Sequence, residues 1–419
     1  MATTSVKPPR RGRVLAITLA AVSVLLLAIL GSGLAGPILG RGPGVSSAAP
    51  SSPQASSTTT ATPETTPAVL AVSPADQASN VPPDSPVTVS ASSGTVNDVT
   101  LVDTRGGKVA GKAGPDGIWA STELLKPSTA YTLSIAATGP DGSSTSVSST
   151  FTTLKPKVIA TYSVSPDGSV VGVGMPVIVQ FGSAVTTKAR RAEVEKRVKV
   201  ATVPTQPGAW GWLDNRQLMW RPEHYWLPGT KVSVSAPLHG IQTGDGKWVT
   251  ADAATTFTVG PSMVSTVDMR RHTLTVRRNG LVIRSFPVST GKPGPLTETR
   301  TGIKVIIERN STIVMDSATV GIPKGNPNYY KIKTQWNLRL TWTGEFIHSA
   351  PWSVNSQGTQ NVSHGCTNMA PADAEWMFKN SRVGDVVAFT GGNRVFKPVE
   401  GYGVWVYNYA GWAAQSALA

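Results

Sequence analysis

From residue 69 onward, apolar side chains recur in short runs with a period near two, as at Val87-Thr88-Val89 and Thr129-Ala130-Tyr131-Thr132-Leu133. Turn signals such as Pro140-Asp141-Gly142 separate the runs. This period belongs to strands that bury one face, and the short spacing predicts antiparallel sheets. The pattern also repeats. Trp119 precedes Pro127 by eight residues, a strand follows, and the segment closes at Thr150-Phe151-Thr152. Trp220 precedes Pro228 by the same eight residues, with a strand at Thr230–Val234 and a close at Thr256-Phe257-Thr258. One helical interruption is predicted at Thr187–Val198, where good helix formers carry opposed charges.

Each repeat has roughly the hundred residues of an immunoglobulin-like sandwich. Residues 69–155 and 156–260 are therefore expected to form two such β-sandwiches, without the inter-sheet cysteine pair. They read as spacers or scaffold, with their Trp residues in cores or inter-domain contacts. A third, mainly β domain is expected over 261–390, with strands at Thr273–Arg277, Leu281–Val288 and Thr301–Glu308. The tail 391–419 holds Trp405, Tyr407, Tyr409 and Trp412, an aromatic density that predicts packing back onto the body.

The N-terminal pattern differs. A basic segment, 1–13, carries Lys7, Arg10, Arg11 and Arg13 and precedes residues 14–39, which contain no charge. About 20 apolar residues span a bilayer, and basic residues ahead of them stay cytoplasmic. The segment 14–40 therefore reads as a transmembrane anchor or as a signal peptide, for which Gly33-Leu34-Ala35 offers small residues. Both place the body outside the cytoplasm: at the cell membrane facing the periplasm or wall, or secreted after cleavage. Residues 41–68 are almost wholly Ser, Thr, Ala and Pro and read as an extended tether.

Charge and cysteine usage narrow the chemistry. The chain has 419 residues and a formal charge of +14, yet no basic helix interleaved with aromatics, so nucleic acid is not an expected partner. An anionic envelope polymer or membrane surface fits better. A single cysteine in an exported chain forms no internal disulfide and is a liability unless buried or used. That cysteine, Cys366, lies in a stretch with His348, eighteen residues upstream, and His364, two residues away. A catalytic thiol needs a neighbouring base or positive field, and His348 can supply it across adjacent strands. Gly365 allows close backbone approach and amides fit for an oxyanion hole. His224, His239 and His272 are given ordinary structural roles. Two His and one Cys lack a fourth metal ligand, so neither a metal nor an organic cofactor is called for.

His348-Ser349 followed by Ser363-His364-Gly365-Cys366-Thr367-Asn368 resembles the signature of YkuD-type L,D-transpeptidases. The plan of anchor, two immunoglobulin-like domains, catalytic domain and packed C-terminal subdomain is similar to the mycobacterial type. The resemblance implies peptidoglycan stem peptides as donor and acceptor, a thioester on Cys366 with loss of the terminal D-Ala, and 3→3 cross-links. It implies His348 as base, the Ser349 carbonyl holding its tautomer, oxyanion amides around Gly365 and Cys366, and covalent inhibition by carbapenems. It further implies substrate contacts from Tyr330, Thr343, Gly344 and Asn368, and a lid over 310–340 that includes Met315. Trp336, Trp342 and Trp352 are candidates for the groove wall or the core. His364 either tunes the thiol or is structural. An exported papain-like protease fits less well, because there Cys precedes His on a helix start. A non-catalytic wall-binding protein would not need an intact S-H-G-C-T-N.

Overall fold

The computed structural model describes residues 66–419. The segments 1–13 and 14–40 and nearly all of the linker 41–68 lie outside them. Among the described residues no helix is long and apolar enough to cross a membrane.

The first sandwich pairs a four-stranded sheet (Val69–Ser73, Thr88–Ser93, Trp119–Ser121, Gly111–Ala113) with a five-stranded one. Between them lie Trp119, Leu125, Leu133 and Tyr131, the last stacked on Phe151 at 5.4 Å. The second sandwich packs the sheet containing Val177–Phe181 and Gln217–Pro222 against that containing Lys231–Ala236 and Ala253–Val259. The sequence repeat has a structural counterpart. A Cβ on Gly111 would fall 2.1 Å from the Trp119 ring, and one on Gly208 would fall 2.1 Å from the Trp220 ring. Each glycine faces, across an antiparallel pair, the residue two beyond its Trp, so each indole lies flat over bare backbone. The predicted helix forms at Lys188–Arg197, where the Thr187 hydroxyl accepts from the Arg190 N–H at 3.2 Å.

The third domain has two sheets. One runs in the order Leu281–Pro287, Thr273–Arg278, Met263–Asp268, Val386–Thr390, Gly302–Val305. The other runs Glu308–Asp316, Lys331–Arg339, Phe346–Ser349, Thr367–Met369. The single strand expected at Thr301–Glu308 is therefore divided between sheets. Ile306 and Ile307 are both buried, which breaks the alternation, and their amides bond outward to the Asp385 and Arg339 carbonyls.

The C-terminal segment folds into short 3₁₀ turns and a helix, Tyr409–Ala413. It packs onto the second sandwich. The Trp405 indole donates to the Gly174 carbonyl at 2.7 Å and the Trp412 indole to the Ala209 carbonyl at 3.0 Å. The core of the second sandwich thus continues into this tail and into Val305 and Val386 of the third domain.

Candidate active site

The strands Phe346–Ser349 and Thr367–Met369 run parallel, with His348 opposite Asn368. Alternation puts Phe346 and His348 on one face and sets Cys366, just before the second strand, on that same face one step away. His348 is 3% exposed and Cys366 is 5% exposed. Both line a cavity of about 360 Å³ with Met315, Tyr330, Trp352 and Asn368, a volume suited to a small extended ligand.

The His348 tautomer follows from its partner. Nδ1 lies 2.8 Å from the Ser349 carbonyl, which only accepts, so Nδ1 carries the proton and Nε2 is left as a base. Trp352 lies across the imidazole at 5.9 Å between ring centroids. Burial lowers His348 to about 4, with the Ser349 hydrogen bond acting the other way. Burial pushes the Cys366 thiol up to about 12, with Glu345 adding to the rise and Lys304 opposing it. The resting site therefore holds a neutral thiol and a neutral imidazole, not a preformed ion pair. The thiol donates weakly to the Gly344 carbonyl at 3.6 Å.

The turn ahead of Cys366 is held from several sides. Gly365 has φ +128°, open to glycine and strained for other residues. Its carbonyl accepts from the Thr299 hydroxyl at 2.9 Å, and its N–H donates to Ser363 Oγ at 3.1 Å. Ser363 Oγ also donates to the Cys366 carbonyl at 2.6 Å. The Gly365 amide is thus committed to the turn, so of the amides expected around Gly365 and Cys366 it is not the open one. The Cys366 N–H has no hydrogen-bond partner among the described residues.

The expected substrate positions divide. Tyr330, Met315 and Asn368 line the cavity. Met315 packs with Phe346 and Cys366, and Asn368 Nδ2 donates to Ser353 Oγ at 3.0 Å. His364 also lines the cavity, its ring 5.2 Å from that of Tyr330, and burial and Lys292 lower its basicity. Gly344 reaches the site through its carbonyl. Thr343 is exposed and outside the lining, its hydroxyl donating to Thr341 Oγ1 at 3.1 Å. Among the three Trp candidates only Trp352 lines the cavity. Trp336 packs on Phe378 and the domain core, and Trp342 meets Tyr402 edge-on. The lid expected at 310–340 is a long hairpin of Glu308–Asp316 and Lys331–Arg339, whose connection includes the 3₁₀ turn Ser317–Val320. Ser363 of the motif and Ile332, Ser353, Ser356 and Val362 complete the lining; the last four, being ordinary apolar and hydroxyl residues, carry no signal in the sequence. Among the described residues no group of three or more His, Cys, Asp or Glu side chains could hold a metal ion.

Residues 262–389 match the L,D-transpeptidase catalytic domain family, and residues 78–242 match the bacterial Ig domain family. The chain is 40% identical over 355 residues to L,D-transpeptidase 2 of Mycobacterium tuberculosis, covering 84% of this chain and 85% of that protein. It is 34% identical over 357 residues to L,D-transpeptidase 5 of the same species, covering 83% and 77%. The solved structure of LD transpeptidase LdtMt1 in complex with imipenem matches at 37% identity, covering 56% of this chain and 100% of that one, with a TM-score of 0.48.

Proposed function

Since the chain belongs to the L,D-transpeptidase family of acyltransferases that act in peptidoglycan cross-linking, we propose that it forms 3→3 cross-links through a thioester on Cys366. The observation that carries this reading is the shared cavity. It brings the only cysteine of the chain and an imidazole with a bare Nε2 onto one face, beside room for a peptide.

The substrate carbonyl is that of the third residue of a tetrapeptide stem. As Sγ approaches it, the thiol proton passes to His348 Nε2 and the S–C bond forms. The Cys366 N–H, free of a partner among the described residues, would stabilise the tetrahedral oxyanion. Collapse breaks the C–N bond, and the proton on Nε2 goes to the departing D-Ala amine. An amine from a second stem then attacks the thioester and gives its proton to Nε2. Sγ leaves as the thiol with that proton restored. Both partners start neutral, so charge is separated only while Nε2 holds the proton, and the resting buried site is spared a standing ion pair. Water as acceptor would yield only a shortened stem. A carbapenem, with a strained acyl carbonyl, is expected to acylate the same thiol.

The apolar stretch 14–39 after a basic run supports an exported body tethered at or released from the membrane, which is where the substrate lies. The two sandwiches set its reach.

The test is product analysis with the full chain and a disaccharide-tetrapeptide. The expected product is a cross-linked dimer joined between third residues, with one D-Ala released per bond and none from Cys366→Ala. Cleavage of ordinary L-peptides, or dimer formation by Cys366→Ala, would overturn the proposal.

A further inference from the structure

Beneath the nucleophile turn lies a set of buried charges that the chemistry above does not use. Glu345 is 2% exposed and Lys304 is fully buried. Glu345 Oε1 accepts from the Arg300 N–H at 3.0 Å and from Arg300 Nη1 at 2.8 Å, and Oε2 accepts from Lys304 Nζ. Arg300 Nε donates to Glu400 Oε1 at 3.0 Å, which ties in the C-terminal segment. Lys304 Nζ also lies 3.9 Å from the Phe389 ring centroid. Two cations face two anions, so the set is neutral overall. Buried pairs of this kind add little net stability over apolar residues of like volume, so their energy alone does not account for them.

Their position does. Glu345 lies three residues ahead of His348, immediately before the strand Phe346–Ser349. Its Cγ is 3.6 Å from where a Cβ on Gly365 would stand, so the side chain lies against the bare backbone just before Cys366. Thr299, adjacent to Arg300, also bonds the Gly365 carbonyl. We propose that Glu345 is a positioning residue for the acyl transfer: clamped by Arg300 and Lys304, it fixes the Gly365–Cys366 turn against the strand that carries His348. This rests on the thioester reading, because it presumes that the Cys366–His348 geometry limits the rate.

Positioning and simple electrostatics predict opposite signs. Glu345 is an anion that disfavours the thiolate, so removing its charge eases ionisation. If charge were its whole role, Glu345→Gln would speed acylation. If it positions the turn, Glu345→Gln slows acylation despite an easier thiol, by about 10²-fold, as misplacement near 1 Å can cost. Imipenem serves as probe on the full chain, with the rate constant of Cys366 acylation and the apparent affinity measured separately by intact mass. The expected result is a slower rate constant with affinity kept within about 2-fold, since the interaction lost acts on the reacting geometry. Loss of one partner leaves Lys304 uncompensated and can unfold the domain, so the charge-balanced pair Glu345→Gln with Lys304→Met is measured alongside. A melting temperature restored to the wild-type value with acylation still slow supports positioning. A wild-type or faster rate in a folded variant overturns it, as does failure of both variants to fold, which would assign Glu345 to the fold alone. If the wild type itself is not acylated at Cys366, it is the thioester reading that fails.

Discussion

At the level of single residues, the site is defined by two neutral groups held ready for each other. His348 stays unprotonated down to about 4 and Cys366 stays protonated up to about 12. Two pH effects follow. Transpeptidation needs a neutral His348, so its acid limb is expected near pH 4, with the rate at pH 5.5 close to that at pH 7. An ordinary histidine would place the fall between pH 5 and 8, and the sequence alone leads to that expectation. Iodoacetamide alkylation of Cys366 needs the thiolate, so it should be slow at pH 8 and still rising above pH 10, where a free cysteine has levelled off. A plateau by pH 9 would contradict the assigned burial effect. Substitutions separate main chain from side chain. His348→Ala should lower kcat by about 10²–10⁴-fold. Ser349→Ala should leave it near the wild-type value, because Ser349 acts through its carbonyl. The motif was legible in the sequence because its residues are local: His364, Gly365, Cys366 and Asn368 lie within five positions. The charges beneath it were not, since Glu345 meets Arg300 and Lys304 across more than forty residues and each looks like an ordinary surface charge.

The elements explain why some expectations missed. Trp336 sits in the hairpin Glu308–Asp316 with Lys331–Arg339, but it has φ +58° and packs on Phe378, away from the cavity. Strand alternation does not foretell such a local reversal. Thr343 sits at a turn and its hydroxyl is spent on Thr341. Its neighbour Gly344 has a sharper role. It has φ +91°, and a Cβ there would come 2.6 Å from Val320 Cγ1 of the hairpin connection. Gly344→Ala is therefore expected to cost about 1–3 kcal/mol of stability through backbone strain. It should also slow Cys366 acylation, because the Gly344 carbonyl is the hydrogen-bond partner of the thiol. Thermal melting together with the acylation rate checks both effects. Unchanged values in both would show that the hairpin and the thiol are not joined through this glycine.

Across the described residues, the apolar core of the second sandwich runs on into the C-terminal segment and into Val305 and Val386 of the third domain, and bare backbone closes the junction. The Gly172 and Gly174 amides donate to the Val383 and Gly384 carbonyls, both at 2.8 Å. Beside them, Asp385 is held up at about 7 by burial, against the pull of Arg382 and Arg309. A carboxyl raised in this way binds its proton more tightly folded than unfolded. Its contribution to stability is complete below about pH 4 and is lost as pH rises through about 7. Asp385→Asn should accordingly raise the melting temperature at pH 8 and leave it little changed at pH 4; equal shifts at both would contradict the assignment. The repeat of the two sandwiches was legible because Trp and Pro recur at fixed spacing. The continuity of the core was not, because it is made by contacts between distant aromatic residues, as where the Tyr225 and Trp405 rings meet edge-on with centroids 4.6 Å apart. The central claim remains that of a transient acyl group on one buried sulfur. Rapid-quench intact-mass measurement of the full chain mixed with disaccharide-tetrapeptide tests it directly. The predicted result is an early mass gain equal to the stem fragment without its D-Ala, mapped to Cys366 and decaying as cross-linked dimer accumulates. Dimer appearing with no such adduct at any time, or an adduct mapped to another residue, would contradict it.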